Sequence, residues 1–284
     1  MLLTTIDQFI AVVPTVGSEV DFEDLQPYVE SAELWLKTNI LGNTLYDAAN
    51  NGSGSTSAAA DADLLKLCRN VIGNHAYWDA IPFLDLQQTK SGFGVIQNNN
   101  LVPASKERVE RLRTQCLIRR DNEVENLISF LEAHSAYHNA WKGSPAYSII
   151  SDCLIQTANE LSIYAEWEGT RKDFLKLRPA LIRETALRLD PVFSQDYINE
   201  LVEKQRDDDL SGDDTKVIVQ LKQALGCLVT GNTEAAEKIA SDALRYIDKN
   251  IDSFETYKNS DEYEARTTTG FVNETTNTIF SSLY

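Results

Sequence analysis

His134 and His138 stand four residues apart, the spacing of two metal ligands on one helical face. Imidazole nitrogens so placed could hold a transition metal. Ser135 follows His134 where a zinc-peptidase helix carries glutamate, and no third ligand stands with them, so they read as end-of-helix histidines. His75 and Asp79 share that spacing and could form an acid–base pair; next to Trp78 the histidine reads as half-buried and satisfied. Asp207, Asp209, Ser211 and Gly212 begin like a calcium loop, but its last position falls on Ile218, where a bidentate glutamate is required. That segment reads as a solvated acidic loop. There is no Gly-x-Ser-x-Gly, P-loop or dinucleotide fingerprint, and Ser91-Gly92-Phe93-Gly94 is too short to cradle phosphate. The expectation is a chain without catalytic residues, cofactor or metal.

Positive charge is concentrated instead. Lys106, Arg108, Arg111, Arg113, Arg119 and Arg120 lie in one helical stretch, offset in part by Glu107 and Glu110. The whole chain carries 43 acidic and 26 basic residues, a net charge of −17. Such an acidic balance argues against wrapping nucleic acid over the whole surface. A basic stripe on it reads as a docking face for an acidic neighbour, or as a face turned towards DNA, or as a solvated intrachain face. Arg108, Arg111 and Arg119 are the candidate interface residues on this helix.

The elements that position these residues are helical. From Asp61, the residues Leu64, Leu65, Cys68, Val71, Ile72, His75 and Trp78 repeat at helical spacing, and Pro82 is expected to stop that helix. A second long helix begins near Ser105 with Val109, Leu112, Cys116, Val124, Leu127 and Leu131, and should pack antiparallel to the first. Before them lie a short helix after Thr5 and one through Val29, Leu36 and Ile40, capped by Asp24 with Pro27 in its first turn. After Gly143-Ser144-Pro145 a helix is expected from Ser148 to Trp167, and further helices run to Tyr257. Asp173-Phe174-x-x-Leu177-x-Pro179 repeats Asp21-Phe22-x-x-Leu25-x-Pro27, which points to duplication of one unit. Between the two long helices, Leu84 to Gln97 reads as a β-hairpin turning at Lys90-Ser91-Gly92. An isolated hairpin is marginal in water, so Phe93, Val95 and Ile96 are candidate contacts with another chain. The Thr-rich ending carries Phe271, Ile279 and Phe280, which are candidates for the same reason.

The predicted architecture is therefore mainly α. It has an N-terminal bundle over 1–145 with a hairpin insertion at 84–97, a second bundle over 146–269, and an extended arm over 270–284. At 284 residues and 43% hydrophobic residues the chain can bury a substantial core. Four scattered cysteines form no Cys-x-x-Cys pair and read as buried thiols in a reducing compartment. Met1-Leu2-Leu3-Thr4 lacks the basic start and apolar run of a signal peptide, and no apolar run approaches membrane-spanning length.

The run Asp24-Leu25-x-x-Tyr28-x-x-x-Ala32-x-x-x-Leu36, ending in Ile40-Leu41-Gly42, resembles the opening of small helical head–tail connector (adaptor) proteins of tailed bacteriophages. Ala80-Ile81-Pro82-Phe83-Leu84, Thr89-x-Ser91-Gly92-x-x-Val95 and Pro103-Ala104-Ser105 look like a family of uncharacterised phage and prophage proteins. So does the ending Phe271-x-Asn273 through Thr278-Ile279-Phe280. The resemblance implies a structural virion protein without catalysis. It would be a subunit of a homo-oligomeric ring, commonly twelvefold, that joins the portal protein to the tail or to a second ring protein. DNA would pass through the ring without sequence-specific binding, no membrane would be involved, and the host cytoplasm would be the site of assembly. The departure is length, since the small connectors are single bundles. Two other classes stand beside this one: a cellular helical adaptor protein, and a metal-assisted helical enzyme built on His75, Asp79, His134 and His138.

Overall fold

The structure is a computed structural model that describes residues 1–51, 58–84, 87–89, 92–94, 104–165 and 167–268, with backbone only at 58–60, 87–89 and 92–94. It is mainly helical. In chain order the helices are α1 (Ile6–Val12), α2 (Phe22–Leu36), α3 (Gly42–Asn51), α4 (Ala58–Leu84), α5 (Lys106–Ala133), α6 (Ser135–Lys142) and α7 (Pro145–Ile150). They continue as α8 (Ala158–Tyr164), α9 (Arg171–Glu184), α10 (Asp190–Phe193), α11 (Gln195–Arg206), α12 (Gly212–Val229), α13 (Thr233–Lys249), α14 (Glu255–Lys258) and α15 (Asp261–Thr267). The chain divides into two compact units. The first comprises Met1–Asp152, Gln156–Ile163 and Trp167–Lys176; the second comprises Cys153–Ile155, Tyr164–Glu166 and Leu177–Tyr284.

In the first unit α4 packs against both α2 and α5. Helical spacing decides which side chains meet: Leu25, Val29, Ala32 and Leu36 of α2 face Leu64, Cys68, Val71 and Ile72 of α4, with Val124, Leu127, Ile128 and Leu131 of α5 completing the core. Tyr137 just beyond α5 donates to Asp61, Asn70 donates to Glu123, and Arg113 lies over Trp78. As the α4 number rises its partner's falls, so α4 and α5 run antiparallel. The second unit packs α12 against α13. Its buried residues include Phe193, Tyr197, Leu201, Leu221, Leu225, Ile247 and Tyr257.

Pro82 does not stop α4, which runs two residues past it. A proline this near the end forfeits one backbone bond, to Trp78, and little helix remains beyond for its ring to disturb. Leu84, expected to open the hairpin, is consequently the last residue of α4. Within the expected hairpin, β1 (Gln87–Thr89) pairs antiparallel with β2 (Gly92–Gly94), Gln88 opposite Phe93. The rest of 84–97 after Leu84, including Val95 and Ile96, lies outside the described residues.

The boundary expected at 145/146 is a helix start instead. Ser144 caps α7 by accepting from the Tyr147 N–H at 3.1 Å, and Pro145 follows in the first turn. Tyr147 then packs on Trp141 and into the first unit's core, so the chain has not left that unit. The long helix expected over 148–167 is broken into α7 and α8. Thr157 Oγ1 accepts from the Glu160 N–H at 3.0 Å, while Glu160 Oε2 accepts from the Gln156 N–H at 2.6 Å, which starts a new helix. The last helix expected to reach Tyr257 likewise ends at Lys249, with α14 beginning afresh at Glu255.

Asp21, not Asp24, is the residue before α2, and Pro27 lies within the helix. The repeated motif sits differently in α9: Asp173 is three residues inside, bonded reciprocally with Thr170, and Phe174 is buried where Phe22 is half-buried. Each of these proline-bearing helices runs on into a π-helical turn, Lys37–Leu41 after α2 and Thr185–Leu189 after α9.

Candidate functional site

α5 sorts its cations by helical phase. Arg108, Arg111, Gln115 and Arg119 recur at three- and four-residue steps and form one stripe. Arg113 and Arg120, seven apart, form another. The second stripe is turned onto aromatic faces: Arg113 lies 5.2 Å from the Trp78 ring, and Arg120 lies 5.0 Å from Trp35 and also pairs with buried Asp121. These two cations belong to the packing of the unit.

The first stripe lines a groove of about 380 Å³. Leu112 and buried Cys116 form its floor, and Val13, Pro14 and Thr15, following α1, form the opposite wall with Asn74 of α4. Thr15 is fixed by the Tyr77 hydroxyl, and Asn74 is tied by its amide to the Asn70 carbonyl at 2.8 Å. The wall is therefore held in place while the arginines reach in from the rim. Arg108, Arg111 and Arg119 are exposed, and among the described residues none of them has an ion-pair partner. Burial pushes the Cys116 thiol up, which favours its neutral form in the groove floor. Three unpaired guanidinium groups over a partly apolar floor suit a carboxylate- or phosphate-bearing partner.

Of the candidates read from the sequence, Arg108, Arg111 and Arg119 are brought together here. Phe93 lies in β2, where only backbone is described; Val95, Ile96, Phe271, Ile279 and Phe280 lie outside the described residues. The histidines go separate ways. His134 Nδ1 lies 2.8 Å from the Phe130 carbonyl, with its ring stacked on Phe130. His138 Nε2 meets the Tyr147 hydroxyl at 3.2 Å. No group of three metal-binding side chains occurs among the described residues. The acidic loop at 207–214 is used at its α12 end: Ser211 and Asp214 form a reciprocal cap at the start of that helix, and Asp214 also accepts from Lys204 at 3.1 Å.

His75 sits between Trp35, at 4.6 Å, and Trp78, at 5.7 Å, and its Nδ1 has no hydrogen-bond partner among the described residues. Burial, reinforced by the Arg120 charge, lowers its pKa from 6.5 to about 4. Below pH 6.5 the unfolded chain takes up a proton that the folded chain refuses, so this contribution is intact above pH 6.5 and is lost as pH falls towards 4. The loss should reach about 3 kcal/mol. Urea titrations of wild type and His75→Phe at pH 7 and pH 4.5 check this. The variant should lose less stability between the two pH values, and equal losses would contradict the assignment.

Sequence reasoning missed the buried carboxylates. Glu33 accepts from the Leu2 and Leu3 N–H groups at 2.6 and 3.1 Å and from the Tyr46 hydroxyl at 2.7 Å. Glu125 accepts from Arg171 at 2.5 Å and from the Asn159 N–H at 3.3 Å. An apolar flank is the one sequence signal: Glu33 follows Ala32 on the buried face of α2, and Glu125 follows Val124 on that of α5. No helix among the described residues is long and apolar enough to cross a membrane.

No curated protein matches the chain, and no solved structure matches it. One family model does match, over residues 18–150 and 226–267, taking in the arginine stripe together with α2, α4 and α13. By that match the chain belongs to DUF6712, a family of unknown function.

Proposed function

We propose that this protein is a structural subunit of a tailed-phage particle, a head–tail connector or adaptor that forms a ring between the portal protein and the tail and acts without catalysis. The observation that carries the reading is the unpaired arginine stripe of α5. On a chain of net charge −17, an exposed basic groove without an ion-pair partner among the described residues favours contact with another macromolecule. The sequence resemblance at Asp24–Gly42 and Ala80–Ser105 supplies the setting. The hairpin around β1 and β2 and the 270–284 arm are read as elements that add to a neighbouring chain's backbone, with Phe93, Val95, Ile96, Phe271, Ile279 and Phe280 at those contacts. The two halves are read as copies of one ancestral unit, a reading supported by the π-helical turn that follows a proline-bearing helix in each.

Peptide counting by mass spectrometry on purified particles, with the portal protein as internal standard, tests the role. The chain should be present at a fixed ratio to the portal protein, in line with rings of related symmetry. Absence from particles that package DNA and carry tails would overturn it.

A further inference from the structure

We infer that the occupant of the arginine groove is the acidic turn Asp207–Asp208–Asp209 of a second copy of this chain. The inference deepens the ring reading and rests on it for its biological setting, but the contact is between two purified copies and can be tested without a particle.

The turn is poorly satisfied within its own chain. It follows the C-terminus of α11, where the helix dipole is negative and disfavours added carboxylates. The nearby cations offer little relief. Lys204 is held by Glu200 at 2.6 Å and Asp214 at 3.1 Å, and Arg206 comes no nearer to Asp207 than 3.9 Å. Asp208 and Asp209 have no cation among the described residues. Asp208 also occupies the left-handed position after the helix, at φ 55°, where glycine is the usual residue. The Asp209 N–H bonds back to the Lys204 carbonyl at 2.9 Å, so the turn is fixed while its three carboxylates stay exposed.

The groove is the complement. Arg108 and Arg111 sit one helical turn apart and Arg119 two turns further, about 12 Å along α5. Three like charges on one stripe repel one another, and the described residues offer them no counter-charge. Three carboxylates on adjacent residues can meet all three guanidinium groups, which bind carboxylates in a planar, two-pronged geometry. Groove and turn belong to different units of the chain. A groove-to-turn contact can repeat head to tail from copy to copy, and such contacts close into rings when the rotation between copies permits.

The test uses two charge-inverted full-length proteins. One carries Arg108→Glu, Arg111→Glu and Arg119→Glu; the other carries Asp207→Lys, Asp208→Lys and Asp209→Lys. Sedimentation velocity at low ionic strength should show wild type associating with rising concentration and dissociating at high salt. Each variant alone should associate on the order of a hundredfold more weakly, because like charges then face each other. An equimolar mixture should regain association, since every groove again meets a turn of opposite sign. Circular dichroism and melting of each variant, with the milder Arg→Gln and Asp→Asn sets beside them, separate loss of contact from loss of fold. Wild type that stays monomeric, a groove variant that associates like wild type, or a mixture of folded variants that stays apart would each overturn the inference. So would a groove variant that associates normally but loses binding to duplex DNA, which would assign the groove to nucleic acid. Particles that incorporate both variants normally would remove this contact and leave the ring reading standing. Particles that lack the chain altogether would remove the ring reading and leave the mixing result untouched.

Discussion

Glu125→Ala should destabilise the first unit by about 3–5 kcal/mol, because it leaves a buried cation without its partner. Glu125 and Arg171 are both 6% exposed, and their bond measures 2.5 Å. The carboxylate's second oxygen accepts from the Asn159 N–H, and one turn earlier Asp121 accepts from the Lys172 N–H at 3.3 Å. Two carboxylates on one face of α5 thus hold the start of α8 and the start of α9 against it. Truncation at Glu125 removes two of these ties and strands the Arg171 guanidinium in a site that water reaches poorly. Replacing both partners by apolar residues of similar volume, Glu125→Leu with Arg171→Met, should recover most of the loss, since no charge is then left buried. Urea denaturation followed by tryptophan fluorescence measures both. A single variant within about 1 kcal/mol of wild type would show that solvent reaches the arginine after all.

Removal of residues 270–284 should abolish incorporation into particles while leaving helix content and melting nearly unchanged. Among the described residues the last buried one is Tyr257, and both cores described above are built from residues that precede the segment. The segment is Thr-rich and ends in Ile279, Phe280, Leu283 and Tyr284, an apolar load that favours contact with another surface. Complementation of a deletion strain with the truncated protein, scored by particle yield and by melting of the purified chain, reads both quantities. Unfolding of the truncated chain would place the arm in the intrachain core, and normal assembly would remove it from the interface.

The long helices were legible because their apolar residues keep one phase over many turns. Leu64, Cys68, Val71 and Ile72 could belong only to a buried helical face. The breaks were harder to read because they depend on single side chains competing with a periodic pattern. Thr157-x-x-Glu160 is a readable capping signal, yet Ile150, Leu154 and Leu161 kept the helical period running across it. Gly143-Ser144-Pro145 carries the residue types of a linker and of a helix start alike. The burial of Tyr147 and Trp141 decides for the second, and burial is a tertiary fact. The basic stripe of α5 was visible as composition. Its division into a packed pair, Arg113 and Arg120, and an exposed set, Arg108, Arg111 and Arg119, follows from helical phase and was within reach. The far wall of the groove was not, because Thr15 and Asn74 meet α5 only through the packing of α1 and α4 around it.

The central claim is that this chain occupies the neck of a tailed particle as a ring of identical copies. Electron cryomicroscopy of the portal vertex of intact particles tests it most directly. The account predicts a ring of helical density between portal and tail into which the antiparallel pair α4–α5 fits, with the Arg108–Arg119 stripe of each copy against the Asp207–Asp209 turn of the next. A neck whose density is fully accounted for by other chains, leaving no place for α4 and α5, would contradict it.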